Sequence, residues 1–138
     1  MFSIGDLSRL TAVKVPTIRY YEQMGLLSAP SRTSGNQRRY AQKDLQQLGF
    51  IRHARDLGFS IEAIRGLIEL NANPDKPCAD ADQTAAMQLN VVRDKITRLK
   101  RLEHELDRIV QGCDANGVVS ECYVMASLCD HQLCSAEH

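Results

Sequence analysis

The sequence predicts a mainly α protein: an N-terminal winged helix-turn-helix domain followed by a long helix that forms an antiparallel coiled-coil dimer. Three observations predict it. Short amphipathic segments punctuated by Pro16, Gly25 and Gly58 fill the first half of the chain. A stretch without Gly or Pro, apolar at every third or fourth residue, fills much of the second half. Cysteines flank that stretch on both sides and are absent from residues 1–77.

In chain order, "SIGDLSRL" opens with Ser3 and Asp6 at capping-box spacing, and Ile4, Leu7 and Leu10 form a helical stripe. After the connector "TAVKV", Pro16 suits the first turn of a second helix, "PTIRYYEQM", which stops at Gly25. Two short helices around such a turn form a helix-turn-helix, the second placed for a major groove. The stretch "LLSAPSRTSGNQRRY" reads as a basic hairpin turning at "SGN", a wing. From Lys43 to Leu57, one face gathers Leu45, Leu48, Ile51 and Ala54/Leu57, and the helix ends at Gly58. "SIEAIRGLIEL" starts on a Ser60 cap and presents Ile61, Ile64 and Leu67/Ile68. These elements define a domain over residues 1–70.

"NANPDKPCAD" contains two prolines and two asparagines and reads as a linker, residues 71–80. A helix over residues 81–111 follows, with Ala85, Leu89, Val92, Ile96, Leu99, Leu102, Leu106 and Ile109 close to a heptad seam. Arg93, Asp94, Lys100, Glu103 and Arg108 are expected on its other faces. At about 1.5 Å per residue such a helix is about 45 Å long, more seam than a 70-residue domain can cover. A second copy of the chain is therefore expected to cover it. Residues 112–138 form a thiol-bearing loop and tail.

The formal net charge is zero, but residues 1–66 carry ten Lys/Arg against five acids, and residues 67–138 seven against twelve. A basic front half suits a polyanion such as DNA. No apolar run reaches the roughly 20 residues of a membrane span, and "MFSIGDLSRL" lacks the pattern of a signal peptide. A cytoplasmic location with reduced thiols is the expectation, and five cysteines, an odd number, fit metal ligands or redox thiols better than a disulfide framework. No nucleotide loop, catalytic-triad context or zinc-hydrolase helix signature is present, so the expectation is a protein that is not an enzyme.

Cys113 follows the stop at Gly112, and Cys122 closes the loop "DANGVVSE". Thiolates are natural ligands for soft or borderline ions such as Cd, Pb, Hg, Zn and Cu(I). Cys78 precedes the other end of the same helix, so within one chain it is too far from Cys113 to share an ion. In an antiparallel dimer the start of one helix lies beside the end of its partner, and Cys78 of one chain approaches Cys113 and Cys122 of the other. Cys129, His131 and Cys134 in "CDHQLC" are candidates for further ligands or a second site. A thiol-redox or copper(I) sensor of the same fold is the alternative.

"IGDLSRLTAVKVPTIRYYEQMGLL", "RTSGNQRRY", "FIRHARDLGFSIEAIRGLIEL" and the long helix with its thiol loop together resemble the MerR family of bacterial transcription regulators, over essentially the whole chain. The resemblance implies a homodimer that sits on double-stranded promoter DNA with RNA polymerase and activates by underwinding the duplex. It implies DNA-facing roles for Thr17, Arg19 and Tyr20, with Tyr21 anchoring the helix. Arg32, Arg38, Arg39, Tyr40 and Arg55 are implied to hold the phosphate backbone, and Lys14 is a further candidate phosphate contact. Gln37 departs from the aromatic residue common in relatives. Cys78, Cys113 and Cys122 match the ligand positions of the branch sensing divalent mercury, cadmium, lead or zinc; copper(I) relatives carry Ser at the Cys78 position. The implied targets are metal-resistance or efflux genes.

Overall fold

The computed structural model describes residues 1–28, 30–32, 35 and 38–129, with the backbone alone at 31, 32 and 38. Two compact units divide the chain, Met1–Ala85 and the part from Ala86 onward.

The first unit contains helices α1 (Ile4–Thr11), α2 (Val15–Gln23), α3 (Gln42–Asp56) and α4 (Ile61–Asn71), and a two-stranded sheet of β1 (Ser31–Arg32) and β2 (Arg38–Arg39). Local chemistry sets the helix ends. Ser3 Oγ accepts from the Asp6 amide at 3.1 Å while Asp6 Oδ2 accepts from the Ser3 amide at 3.0 Å, closing a capping box on α1. Pro16 occupies the first turn of α2, where a missing N–H costs no hydrogen bond. Ser60 Oγ caps α4 through the Ala63 amide at 3.1 Å.

Helices α2 and α3 end alike. Gly25 and Gly58 have φ of 76° and 88°, a region that favours glycine. The amides that follow fold back: Leu26 onto the Tyr21 carbonyl at 2.9 Å, Phe59 onto the Ala54 carbonyl at 3.1 Å. These Schellman closures deliver Leu26 and Phe59 into the core. That core gathers Leu7, Ile18, Tyr21, Leu26, Tyr40, Leu48, Ile51 and Ile64 from all four helices, the α2–β1 connection and the end of the wing. Leu57, expected on the apolar face of α3, is 54% exposed, because the turn at Gly58 gives its place inside to Phe59.

The wing pairs antiparallel, Ser31 with Arg39 and Arg32 with Arg38. A further bridge anchors its base: Phe2 and Tyr40 exchange two backbone hydrogen bonds of 2.8 Å.

Helix α5 spans Ala79–Gln111 and starts two residues earlier than the sequence predicts. The Asp82 amide already bonds the Cys78 carbonyl, so Cys78, inside the expected linker, opens the first turn. In the second unit a short 3₁₀ turn, Val119–Glu121, and helix α6 (Tyr123–Cys129) follow the loop after Gln111. Glu105, Ile109 and Ser127 are buried there, whereas Leu89, Ile96, Leu99 and Leu106 of the heptad stripe are exposed. Among the described residues, no helix is long and apolar enough to cross a membrane.

Candidate functional site

The first unit carries a candidate nucleic-acid face. Ile18 and Tyr21 bury one side of α2, which turns Arg19 and Tyr20 to the exposed side. Thr17 is half-buried in the first turn, and Lys14, the N-cap residue, is exposed and makes no side-chain capping bond. A lysine cannot accept a helix amide, so its ammonium is left for other partners. Arg32 and Arg38 are register partners in the wing backbone, and Arg39 is half-buried. Arg55 is exposed on α3 and donates one hydrogen bond, 2.8 Å long, to the Phe59 carbonyl, which steadies its guanidinium at the helix end.

Tyr40 is different. Its ring is wholly buried and its hydroxyl donates to the Glu22 carboxylate of α2. A wholly buried ring has no surface for a phosphate, so the backbone contact that the resemblance implies for Tyr40 gives way to a supporting role. It ties the wing to the second helix, and neither Glu22 nor this bond was visible to sequence reasoning.

Cys78 also belongs to the first unit. It is exposed and lines an apolar cavity of about 300 Å³ with Phe50, Leu67, Leu70, Pro77 and Ala81.

The thiol loop lies in the second unit. Sγ of Cys113 and Sγ of Cys122 are 3.7 Å apart, and both residues are half-buried. Helix α5 ends at Gln111 and presents Cys113 two residues later, with the Cys113 amide bonded to the Val110 carbonyl at 3.1 Å. Cys122 precedes the first turn of α6. The amides of Met125, then Val124, point to its sulfur, and with the Cys113 thiol they hold the Cys122 thiol below its ordinary range.

Two thiolates on one ion, with bonds of about 2.3 Å at tetrahedral angles, stand about 3.8 Å apart. The observed spacing matches the distance expected for two sulfurs on one zinc-sized ion. Among the described residues, no group of three or more His, Cys, Asp or Glu converges within the chain. The Cys113 and Cys122 sulfurs are the candidate pair brought together within one chain, and Cys129 is exposed. His131 and Cys134 lie outside the described residues.

Sequence reasoning also missed what surrounds the pair. Arg108, expected on a solvated face, is half-buried: its Nε donates to Glu105 Oε1 at 2.9 Å, and its Nη1 donates to the Tyr123 hydroxyl. The only signal was a tyrosine directly after a thiol.

A basic winged helix-turn-helix unit with a long helix and a dithiol loop defines a DNA-binding regulator with an effector site. Comparison with known proteins makes the class specific. Residues 2–70 match the model of the MerR HTH family regulatory protein, and residues 45–109 match the model MerR, DNA binding. The HTH-type transcriptional regulator ZntR of Escherichia coli (strain K12) is 38% identical over 82% of this chain and 81% of its own length. The mercuric resistance operon regulatory protein of Serratia marcescens is 36% identical over 91% and 86%. The crystal structure of the transcription regulator PbrR691 from Ralstonia metallidurans CH34, in complex with lead(II), superimposes with a TM-score of 0.77 at 36% identity, covering 93% of this chain and 99% of that one. The chain belongs to the MerR family of helix-turn-helix transcription regulators, in its metal-sensing branch.

Proposed function

We propose that two copies of this chain bind promoter DNA and respond to a soft divalent ion (Cd, Pb, Hg or Zn) held by Cys113 and Cys122 of one subunit and Cys78 of the other. On loading, the dimer distorts the duplex so that RNA polymerase can use the promoter of a metal-resistance or efflux operon. The single observation that carries this reading is the 3.7 Å between the Cys113 and Cys122 sulfurs. Residues 1–70 serve as the DNA-binding domain, 71–78 as linker, 79–111 as the dimerisation helix and 112–138 as metal loop and tail. The protein is a cytoplasmic regulator and has no catalytic role.

The physical case for two chains is the long helix. Thirty-three residues rise about 50 Å, with Cys78 before the first turn and Cys113 beyond the last. A straight helix cannot bring its own two ends to one ion, whereas an antiparallel partner brings its opposite end. The exposed stripe of Leu89, Ile96, Leu99 and Leu106 supplies the apolar contact for that pairing. A bound ion would supply sulfur–metal bonds linking the subunits. The chain's own residues do the rest. Arg19 and Tyr20 face the groove, Lys14, Arg32, Arg38, Arg39 and Arg55 face phosphates, and Tyr40 keeps the wing aligned with α2. Phosphate contacts set the register of the protein on the duplex, and deformable DNA steps convert a change in that register into distortion.

The test is titration of the purified protein with Cd, Pb, Hg and Zn, followed by run-off transcription from the operon's promoter. One ion per subunit, an intense thiolate-to-metal ultraviolet band and metal-dependent transcripts are expected. Cys78→Ser should remove the response to divalent ions. A response to peroxide with none to any metal would replace this reading with a Cys113–Cys122 disulfide switch.

A further inference from the structure

The two residues that abut the thiol ligands on the outside touch each other. Gly112 immediately precedes Cys113, and Tyr123 immediately follows Cys122. The Tyr123 ring lies so close to Gly112 that a Cβ built there would stand 2.2 Å from Cδ1 and 2.4 Å from Cε1 of the ring. No real side-chain carbon tolerates such distances. Gly112 does not have a positive φ, so its backbone would accept alanine, and it is the tyrosine ring that forbids a side chain.

A second contact holds the ring in place. Arg108, one turn back on α5, donates from Nη1 to the Tyr123 hydroxyl. Its Nε and Nη2 both donate to Glu105, whose side chain is 4% exposed. A buried carboxylate facing a guanidinium leaves the arginine little freedom, since swinging away would strand the charge. Arg108 is thereby fixed, and with it the far end of the tyrosine.

We propose that Gly112, Tyr123, Arg108 and Glu105 form a clasp that sets the spacing of Cys113 and Cys122. They are positioning residues for the metal-binding pair. The inference rests on the metal reading above and adds residues that reasoning about the thiols alone does not supply. The loop from Cys113 to Cys122 is closed at its base by the clasp. Without the clasp, the two sulfurs are linked only through eight intervening residues, and holding them at bonding distance carries the full entropy of loop closure. Residues that orient metal ligands from outside the ligand set commonly change affinity by about 10–100-fold when replaced.

The contact between ring and glycine gives a specific test. Cd affinity, measured by competition with a chelator, and the thiolate-to-metal band are recorded for the full-length wild-type protein and four variants: Gly112→Ala, Tyr123→Phe, Tyr123→Ala and the Gly112→Ala/Tyr123→Ala pair. Gly112→Ala should weaken Cd binding by about 10-fold or more. Tyr123→Phe keeps the ring over Gly112 and should lose less than Tyr123→Ala. In the Tyr123→Ala background, Gly112→Ala should add nothing, because the carbon it would strike is gone. A merely structural glycine would give additive losses and a shift in melting temperature without this pattern in the metal band. Wild-type affinity and band in Gly112→Ala, or additive losses in the pair, would overturn the clasp. A wild-type protein that binds none of the ions would instead overturn the metal reading on which it rests.

Discussion

At the scale of single residues, the DNA-binding role proposed for the first unit sets different demands on Arg19 and Tyr40. Arg19 stands exposed on α2 and Tyr40 is buried in the core, so their replacements should separate affinity from stability. Arg19→Ala removes a charged group from the candidate groove face. It should weaken binding to the operator by about 10-fold or more in a gel-shift titration and leave the melting temperature nearly unchanged. Tyr40→Phe removes the hydroxyl that Glu22 accepts and should cost about 1–2 kcal/mol in chemical unfolding. An exposed-site signature for Tyr40→Phe, with affinity lost and stability kept, would show that the ring leaves the core to reach DNA.

Cys122 supports a prediction about pH. Amides of Met125 and Val124 and the Cys113 thiol favour its thiolate, which places its folded pKa below the ordinary 9.0. The sign follows from linkage: folding favours the thiolate, so this stabilisation is present in full above the unfolded value and is lost as pH falls through the folded one. In a variant retaining Cys122 as its sole cysteine, alkylation should reach half its maximal rate at a lower pH in the folded protein than in urea. Equal midpoints would mean that the two amides do not reach the sulfur in solution. Because protons and metal compete for the same sulfur, metal uptake should weaken as pH drops.

At the scale of elements, whatever depended on near neighbours was legible in the sequence. Ser3 and Asp6, Ser60, Gly25 and Gly58 act within a few residues of themselves, so each announces a helix end without tertiary information. The thiol loop was legible for the same reason: Gly112 stops α5 and eight residues separate its two cysteines. The Arg108–Tyr123 and Tyr40–Glu22 bonds were not, because their partners lie 15 and 18 residues apart and no periodicity encodes them. Ile109 shows the limit of a heptad reading. It completes the apolar spacing of α5, yet it is buried within its own chain, leaving Leu89, Val92, Ile96, Leu99 and Leu106 as the exposed stripe. A charge in the middle of that stripe tests the assignment. Ile96→Glu should shift the chain from dimer to monomer in sedimentation equilibrium at micromolar concentration while the first unit keeps its melting transition. A dimer unaffected by that charge would place the pairing surface elsewhere.

At the scale of the whole molecule, a site shared between subunits has a stoichiometric consequence that a site within one chain does not. Consider a mixed dimer in which one subunit carries Cys78→Ser and the other Cys113→Ser. The Cys113→Ser subunit still offers its Cys78 thiol, and the Cys78→Ser subunit still offers Cys113 and Cys122, so one of the two shared sites is intact and the other lacks two ligands. If each chain instead assembled its site alone, both sites would be damaged. Each homodimeric variant should fail to bind Cd at its full thiolate band, because neither has a complete site. The mixed dimer, purified through different tags on its two subunits, should recover one tightly bound Cd per dimer and about half the wild-type band. Recovery cannot come from added donors, since the mixture contains no thiol absent from both parents, so it would report geometry alone. A mixed dimer with no more metal than its parents would refute the antiparallel arrangement, and the role proposed for Cys78 would go with it.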